Sequence, residues 1–138
     1  EGNELNGTLS VDIRNWVQLK ELSLSSNNFW GQIPDELGNC VSLTELSLND
    51  NRFSGPVPQS LSNLILLESV QLSFNDLTGS LDFICASRPS DNPINDFVSD
   101  CGQGAEGKEV LCGCCNVCCH SISTGGSSCR SNLDGTFP

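Results

Sequence analysis

Residues 19–40 read LKELSLSSNNFWGQIPDELGNC, and residues 43–64 repeat this pattern as LTELSLNDNRFSGPVPQSLSNL. A third, partial copy begins at Leu67, so equivalent positions recur every 24 residues (43 − 19 and 67 − 43). The further columns in register are Leu22/Leu46/Val70, Leu24/Leu48/Leu72, Asn27/Asn51/Asn75, Phe29/Phe53/Leu77, Gly31/Gly55/Gly79 and Ile33/Val57/Leu81. Self-similarity at a fixed period predicts a solenoid, in which stacked copies of one coil share a continuous core.

Each column has a physical role within the coil. The alternation in LKELSL predicts a strand that turns Leu22 and Leu24 inward, and stacked copies of this strand predict a parallel sheet. A buried asparagine satisfies backbone groups where the coil leaves the strand, so its repetition predicts a hydrogen-bonded ladder. The glycine allows a backbone bend that a side chain would obstruct, and Ile33-Pro34 and Val57-Pro58 predict an extended path.

The consensus LxxLxLxxNxFxGxIPxxLxxC, present at residues 19–40 and again at residues 43–64, resembles the plant-type leucine-rich repeat. The resemblance extends over residues 1–84. It implies an α/β solenoid with a parallel β-sheet on the concave face and 3₁₀ or extended segments on the convex side. It also implies recognition, since members of this family are receptor ectodomains and secreted inhibitor-like proteins.

Five side chains carry further expectations. Trp16 shares a column with Cys40, so we expect both to fill the core, with Cys40 as a free thiol. Phe29 and Phe53 predict a stacked aromatic pair on the convex side. Trp30 lies one position beyond that column, and we expect it to be half exposed and available as a contact residue.

The two ends of the repeat region depart from the pattern. The chain opens at Glu1 partway through a repeat, so we expect either upstream sequence or a partner at this end, because a bare solenoid end exposes core. Asp82 stands where Pro34 and Pro58 stand in the earlier copies. We therefore expect the solenoid to end near Phe83.

A cysteine-rich region follows. Eight of the nine cysteines lie in one segment, a density that indicates disulfides formed in an oxidising compartment. The predicted disulfide set is Cys85, Cys101, Cys112, Cys114, Cys115, Cys118, Cys119 and Cys129. Adjacent cysteines rarely bond to each other, so we expect the members of each CC pair to reach different partners, and the sequence leaves the pairing open. Zinc held by this cluster with His120 is the alternative, although no second CxxC lies at zinc-ribbon spacing.

The segment FVSDC at residues 97–101, followed by VLCGCCNVCC at residues 110–119, is similar to the C-terminal cap of leucine-rich-repeat proteins from diatoms and related heterokont algae. The resemblance implies that residues 85–120 cap the solenoid and that the protein is secreted or surface-anchored. Residues 121–138 are rich in serine and glycine, and we expect them to form a linker or loosely held extension that Cys129 pins in part.

Charge and motif content exclude several functions. Seventeen acidic and six basic residues give a net charge of −11, which argues against binding to nucleic-acid phosphates and against electrostatic docking on an anionic membrane. No apolar run reaches the length of a bilayer span. With a single histidine and no GxSxG, HExxH, phosphate-binding loop or dinucleotide fingerprint, we expect neither catalysis nor a cofactor.

The predicted binding surface consists of the residues that alternate with the inward-facing leucines and project from the concave sheet. They are Glu21, Ser23, Ser25, Glu45, Ser47, Asn49, Ser69, Gln71 and Ser73. This face is small, polar and mildly acidic, and it lacks the Tyr, Trp and Arg anchors of tight protein interfaces. A glycan or basic peptide suits it better than an apolar partner, and a solvated face without a ligand is the alternative. Asn6-Gly7-Thr8 is a glycosylation sequon, which predicts a glycan on Asn6.

The sequence thus predicts an extracellular, secreted or cell-surface recognition module that binds a protein, peptide or polysaccharide on its concave face. The alternative is a structural subunit of an extracellular or lumenal assembly, packed on its neighbours through the open N-terminal repeat. Ice binding is a third possibility, but no threonine ladder at constant spacing supports it.

Overall fold

The computed structural model describes residues 2–86, 88, 93–100, 110–112, 114–122 and 126–131. Each coil of the repeat contains a strand, a turn, a second strand and a 3₁₀ helix, and the C-terminal part adds one α-helix and further strands. The elements are β1 (Asn6–Gly7), η1 (Val11–Asn15), β2 (Glu21–Ser23), β3 (Asn28–Gly31), η2 (Asp35–Asn39), β4 (Glu45–Ser47), β5 (Arg52–Pro56), η3 (Gln59–Asn63), β6 (Ser69–Gln71), β7 (Asp76–Ser80), α1 (Asp82–Ala86), β8 (Asp96–Asp100), β9 (Val110–Leu111), β10 (Val117–Ile122) and β11 (Gly126–Ser131).

The first strand of each coil joins one sheet and the second strand joins another. The concave sheet has six strands in the order β11-β10-β8-β6-β4-β2, and the second sheet has five in the order β1-β3-β5-β7-β9. All pairs are parallel except the pair of β10 with β11. Gly31 and Gly55 have φ angles of 85° and 79°, a conformation that L side chains rarely adopt, so the bend after β3 and within β5 requires glycine.

The core lies between the sheets and the 3₁₀ helices. Side chains from the repeated columns fill it, and Leu43, Leu46 and Leu67 are fully buried. Phe29 and Phe53 stack with their ring centroids 6.1 Å apart and their planes 3° from parallel, as predicted. Cys40 is a buried free thiol, also as predicted, and its Sγ donates to Ile13 O at 3.4 Å. The repeat columns therefore pack as one continuous solenoid core.

The predicted asparagine ladder is present. Asn51 Nδ2 donates to Leu24 O of the preceding coil at 2.9 Å and to Leu48 O of its own coil at 3.1 Å, while its Oδ1 accepts the N–H of Phe29 at 3.0 Å. Asn75 makes the same three bonds, and Asn27 accepts the N–H of Leu5 and donates to Leu24 O of its own coil. Each asparagine therefore ties two coils together through backbone groups that would otherwise be buried without partners.

The expectation for Trp16 was wrong. Its indole is 54% exposed, whereas Cys40 and Leu64 in the same column are buried. Each residue of this column is covered by the coil before it, as the contact of Cys40 with Ile13 shows, and no complete coil precedes η1 in the part of the chain that the structure describes. Trp30 is 56% exposed, which confirms its expected position.

The C-terminal region continues both sheets beyond the point where the repeat pattern ends. Strand β8 pairs with β6 through Phe97 opposite Val70, and β9 pairs with β7. Residues 126–131, expected to belong to a linker, form β11 and pair antiparallel with β10, because a strand edge at the end of the sheet offers backbone partners even to a polar segment. Among the described residues, the helices lack the length and apolar character that a bilayer crossing requires.

Candidate binding surface on the concave sheet

The concave sheet presents side chains in straight rows because its parallel strands pair in register. Glu21 lies opposite Glu45, Glu45 opposite Ser69, and Ser69 opposite Asp96. The next residue of each strand points inward, and these four are buried: Leu22, Leu46, Val70 and Phe97. The outward rows are thus held on a rigid support whose register the core fixes. We call the row Glu21, Glu45, Ser69 and Asp96 the acidic row.

The structure divides the nine predicted surface residues into three groups by exposure. Glu21 and Ser23 are exposed, and four more are half-buried: Glu45, Asn49, Ser69 and Gln71. The remaining three, Ser25, Ser47 and Ser73, are buried, with 7%, 7% and 3% of their surface exposed. Their expected availability to a ligand is therefore corrected, because a ligand that touches only the open surface would reach few of their atoms.

The burial of the three serines has two local causes. Ser25 and Ser73 lie where the chain turns from the strand into the asparagine ladder, and the ladder amides donate to their carbonyl oxygens at 3.0 and 3.4 Å. Ser47 lies on β4, which has a neighbouring strand on each side, and its hydroxyl donates to Glu45 Oε1 at 3.4 Å. A short side chain beside the longer Glu45 and Gln71 has little surface left for solvent.

Sequence reasoning missed Asp96, which extends the acidic row beyond the repeats. Its Oδ2 accepts a hydrogen bond from Gln71 Nε2 at 2.6 Å. The distance along the chain from Val70 to its partner Phe97 is 27 residues (97 − 70), three more than the 24-residue repeat. The 24-residue spacing therefore does not identify Asp96. The alternation of DFVSD, with Phe97 as its central apolar residue, is the signal that could have identified this strand.

The electrostatics of the acidic row favour a cationic partner. Parallel strands are separated by about 4.8 Å, so Glu21 and Glu45 are like-charged neighbours in direct register. Like charges opposite each other destabilise a sheet. A lysine or arginine placed between them would relieve the repulsion, and the net charge of −11 would draw a cationic ligand toward this surface over a longer range.

The cysteine-rich region is joined by disulfides where the structure describes it. Cys85 of α1 is bonded to Cys114, and Cys112 is bonded to Cys115, so the adjacent cysteines 114 and 115 do reach different partners. Cys119 is also disulfide-bonded. Cys101 and the side chains of Cys118, His120 and Cys129 lie outside the described residues, as does any pairing through them. Among the residues described, no three His, Cys, Asp or Glu side chains form a group that could hold a metal ion.

The predicted glycosylation residue lies apart from the concave sheet. Asn6 is exposed on β1, the outermost strand of the second sheet, where it pairs in register with Asn28. The sequon therefore does not compete with the acidic row for space.

The repeats and the fold match known proteins. The family model described as Leucine Rich Repeat matches residues 18–40 and 42–64. A comparison with curated protein sequences gives no match.

Among solved structures, the leucine-rich-repeat ectodomain of the receptor kinase SOBIR1 from Arabidopsis thaliana is 40% identical, with a TM-score of 0.57 over 59% of this chain and 45% of that chain. The BIR3–SERK2 complex, also from Arabidopsis thaliana, is 34% identical, with a TM-score of 0.57 over 82% of this chain and 57% of that chain.

The ectodomain of the plant membrane receptor kinase GASSHO1/SCHENGEN3 from Arabidopsis thaliana, in complex with CASPARIAN STRIP INTEGRITY FACTOR 2, is 30% identical, with a TM-score of 0.59 over 80% of this chain and 12% of that chain. This chain spans less than two thirds of the length of each of these three. Together with the parallel strands and the matched repeats, the likenesses show a leucine-rich-repeat fold of the plant type.

Proposed function

Because the fold is that of plant leucine-rich-repeat ectodomains, we propose that this chain is an extracellular recognition module that holds a basic peptide, or a basic segment of a protein, on its concave sheet. The observation that carries the proposal is the acidic row, in which Glu21 and Glu45 lie side by side in register and Asp96 continues the row past the repeats. Two of the similar structures support this function, since one is a receptor ectodomain in complex with a named factor and the other is a complex of two proteins.

The second row of the face supplies hydrogen-bonding groups beside these charges. Ser23 is exposed, and Gln71 is half-buried and already oriented by its bond to Asp96. An extended peptide crossing the strands along the acidic row would meet carboxylates at β2, β4 and β8 and a hydroxyl at β6, with Ser23 and Gln71 in the neighbouring row. This arrangement fits lysine and arginine side chains, which donate hydrogen bonds but cannot accept them.

The disulfides support the extracellular placement. Cys85–Cys114 and Cys112–Cys115 close the region after the last repeat, and disulfides persist in oxidising compartments. We further propose that this region is a cap of the kind it resembles in diatom and other heterokont proteins. Its strands pair with the last repeat through β8 and β9, which is what the end of a solenoid requires.

The test uses two double variants that remove equal charge from opposite sides of the coil. Glu21→Gln/Glu45→Gln neutralises the acidic row, and Asp35→Asn/Glu36→Gln neutralises two carboxylates on the convex helix η2. A library of short peptides with graded lysine and arginine content would be titrated against each protein by fluorescence anisotropy at low and at physiological salt.

We expect basic peptides to bind the unmodified chain and to bind the concave variant roughly fivefold to tenfold more weakly, since an exposed ion pair contributes up to about 1 kcal/mol. The convex variant should bind like the unmodified chain. Equal weakening in both variants would show that only net charge matters and would contradict a concave site. Unchanged binding in both variants would also contradict a concave site, and failure of the unmodified chain to bind any basic peptide would favour the structural-subunit alternative.

A further inference from the structure

We propose that the chain carries an N-linked glycan on Asn6 and that the first sugar of this glycan packs against the indole of Trp30. The inference rests on the extracellular placement proposed above but not on the ligand of the concave sheet. It begins from the sequon Asn6-Gly7-Thr8, whose asparagine and threonine are both exposed. A glycosylation sequon has to be accessible at the surface to be used.

The strand register places Trp30 beside this sequon. Asn6 pairs with Asn28 in the parallel pair of β1 and β3, and residues paired in register point to the same side of the sheet. Trp30 lies two residues beyond Asn28, so it shares that side. With strands about 4.8 Å apart and a rise of about 3.3 Å per residue, the Cα atoms of Asn6 and Trp30 are separated by about 8 Å.

The contact between Thr8 and Gly31 keeps the two strands close beyond the last paired residue. A Cβ at Gly31 would lie 3.2 Å from the Cγ2 methyl of Thr8, so the missing side chain leaves room for the threonine. The sequon therefore stays against β3 along its whole length, and a sugar attached at Asn6 emerges beside Trp30.

The repeat does not explain Trp30. The equivalent positions in the next coils are Ser54 and Thr78, which are half-buried polar residues of β5 and β7. A side chain of this size that is 56% exposed leaves a broad apolar surface in water. An indole presents a flat apolar body with one polar N–H group, so it can cover the C–H face of a pyranose while the sugar hydroxyl groups stay in solvent.

The modification is a group transfer. Asn6 Nδ2 attacks C1 of the reducing-end N-acetylglucosamine in a lipid-linked oligosaccharide donor, and an N–C bond forms as the C–O bond to the lipid diphosphate breaks. The amide loses one proton, and the lipid diphosphate leaves with the bonding electron pair. The donor and its transferase belong to the secretory pathway of a eukaryotic cell, so the proposal requires no cofactor in this chain.

The first experiment reads the modification itself. The full chain would be secreted from a eukaryotic cell line, and its intact mass would be measured before and after treatment with peptide-N-glycosidase F, beside the Asn6→Gln variant. We expect a mass loss of one glycan in the unmodified chain and none in the variant. Secretion without a glycan would overturn the proposal while leaving the recognition function intact. Failure of the folded chain to enter the medium would contradict the extracellular placement, and this proposal with it.

The second experiment reads the contact with Trp30. The chain has two tryptophans and no tyrosine, so Trp16→Phe leaves Trp30 as the reporter of indole fluorescence. In that background we expect the glycosylated protein to show a blue-shifted emission and weaker iodide quenching than its Asn6→Gln derivative. Identical spectra would show that the sugar does not cover the indole.

Thermal unfolding supplies a matched comparison. We expect removal of the glycan to lower the Tm by about 3 °C in the unmodified chain. The same treatment should have no effect in Trp30→Ser, which lacks the indole. In Trp16→Ser, which removes the other, equally exposed tryptophan, the shift should persist. Equal shifts in both tryptophan variants would refute a specific contact with Trp30.

Discussion

Replacing Asn51 tests whether the asparagine ladder holds the coils together. Its side chain is 9% exposed, and its two amide hydrogens serve the carbonyl oxygens of Leu24, Leu48 and residue 49 at 2.9 to 3.1 Å. Its Oδ1 accepts the N–H of Phe29 at 3.0 Å. In Asn51→Ala the N–H of Phe29 loses its acceptor. The three carbonyl oxygens each lose one of two donors, because Asn27, Asn75 and the N–H of residue 26 still donate to them.

The magnitude follows mainly from the one N–H group left without a partner. A buried N–H without an acceptor costs about 1–3 kcal/mol, and each carbonyl oxygen adds a smaller amount because it loses one hydrogen bond but keeps another. We therefore expect Asn51→Ala to lower the free energy of unfolding by about 3 kcal/mol, a large part of the roughly 5–15 kcal/mol typical of a domain. At an m-value of about 2 kcal/mol/M, the urea midpoint should fall by about 1.5 M.

Urea unfolding followed by circular dichroism measures this change, with Asn49→Ala as the control. Asn49 is half-buried, and its Nδ2 donates to the carboxylate of Asp50 at the surface, so its loss should change the free energy of unfolding by less than about 0.5 kcal/mol. Equal effects in the two alanine variants would refute the ladder as the main tie between coils.

The Asn51→Asp variant separates the donor role of the side chain from its acceptor role. A carboxylate can still accept from Phe29, but it faces carbonyl oxygens and loses hydration, so we expect its pKa in the folded state to lie above its ordinary value. The folded state then binds the proton more tightly than the unfolded state. Stability should be greatest at acid pH and fall as the pH rises from about 4 through the folded-state pKa. A variant whose stability rises over that range would contradict the assigned donor role.

Three further predictions concern single positions in the stack. A Cβ at Gly38 would lie 2.5 Å from Ser60 Cβ and O, so Gly38→Ala should lower the free energy of unfolding by about 1–3 kcal/mol, and an unchanged Tm would contradict the close packing of η2 on η3. Asp100 accepts two backbone N–H groups of the turn after β6 at 2.8 and 3.0 Å, so Asp100→Ala should cost about 2 kcal/mol in urea unfolding, whereas a neutral change would refute its capping role. Burial raises the pKa of the Cys40 thiol above its ordinary 9.0, so the unfolded state loses this proton first and stability should decline above about pH 9. The decline should be smaller in Cys40→Ala, and a native thiol that reacts rapidly with a disulfide reagent at neutral pH would contradict its burial.

Periodicity predicted the solenoid well because every column has one physical role in every coil. The 24-residue spacing identified the inward leucines, the asparagine ladder and the stacked Phe29 and Phe53, all of which depend on neighbours one coil away. Trp16 departs from its column for the same reason, since burial in this column depends on the coil before it and the described residues include no complete coil before η1. The exposure of a side chain thus depends on the neighbouring coils, whereas its inward orientation depends on its position within the repeat.

The candidate surface was predicted less completely because strand alternation gives orientation but not coverage. Alternation places Ser47 on the outer face, yet neighbouring side chains cover it. The 24-residue spacing stops at the last recognisable repeat, so it misses Asp96, which the chain reaches only after 27 residues instead of 24. The burial of Ser47 depends on the length of neighbouring side chains, and the position of Asp96 depends on an irregular connection. The 24-residue spacing predicts neither.

The C-terminal region both caps the solenoid and contributes to the candidate binding surface, whereas the sequence analysis assigned that surface to the repeats alone. Strand β8 supplies Asp96 to the acidic row, and four residues later Asp100 accepts the backbone N–H groups of residues 74 and 75 at the end of the ladder. Asn116 then fixes β8 by exchanging two hydrogen bonds with Phe97, at 2.8 and 2.9 Å. A ligand lying across β6 and β8 would therefore contact a surface whose geometry depends on the cap. Loss of the cap should weaken such binding even if every repeat residue stays in place.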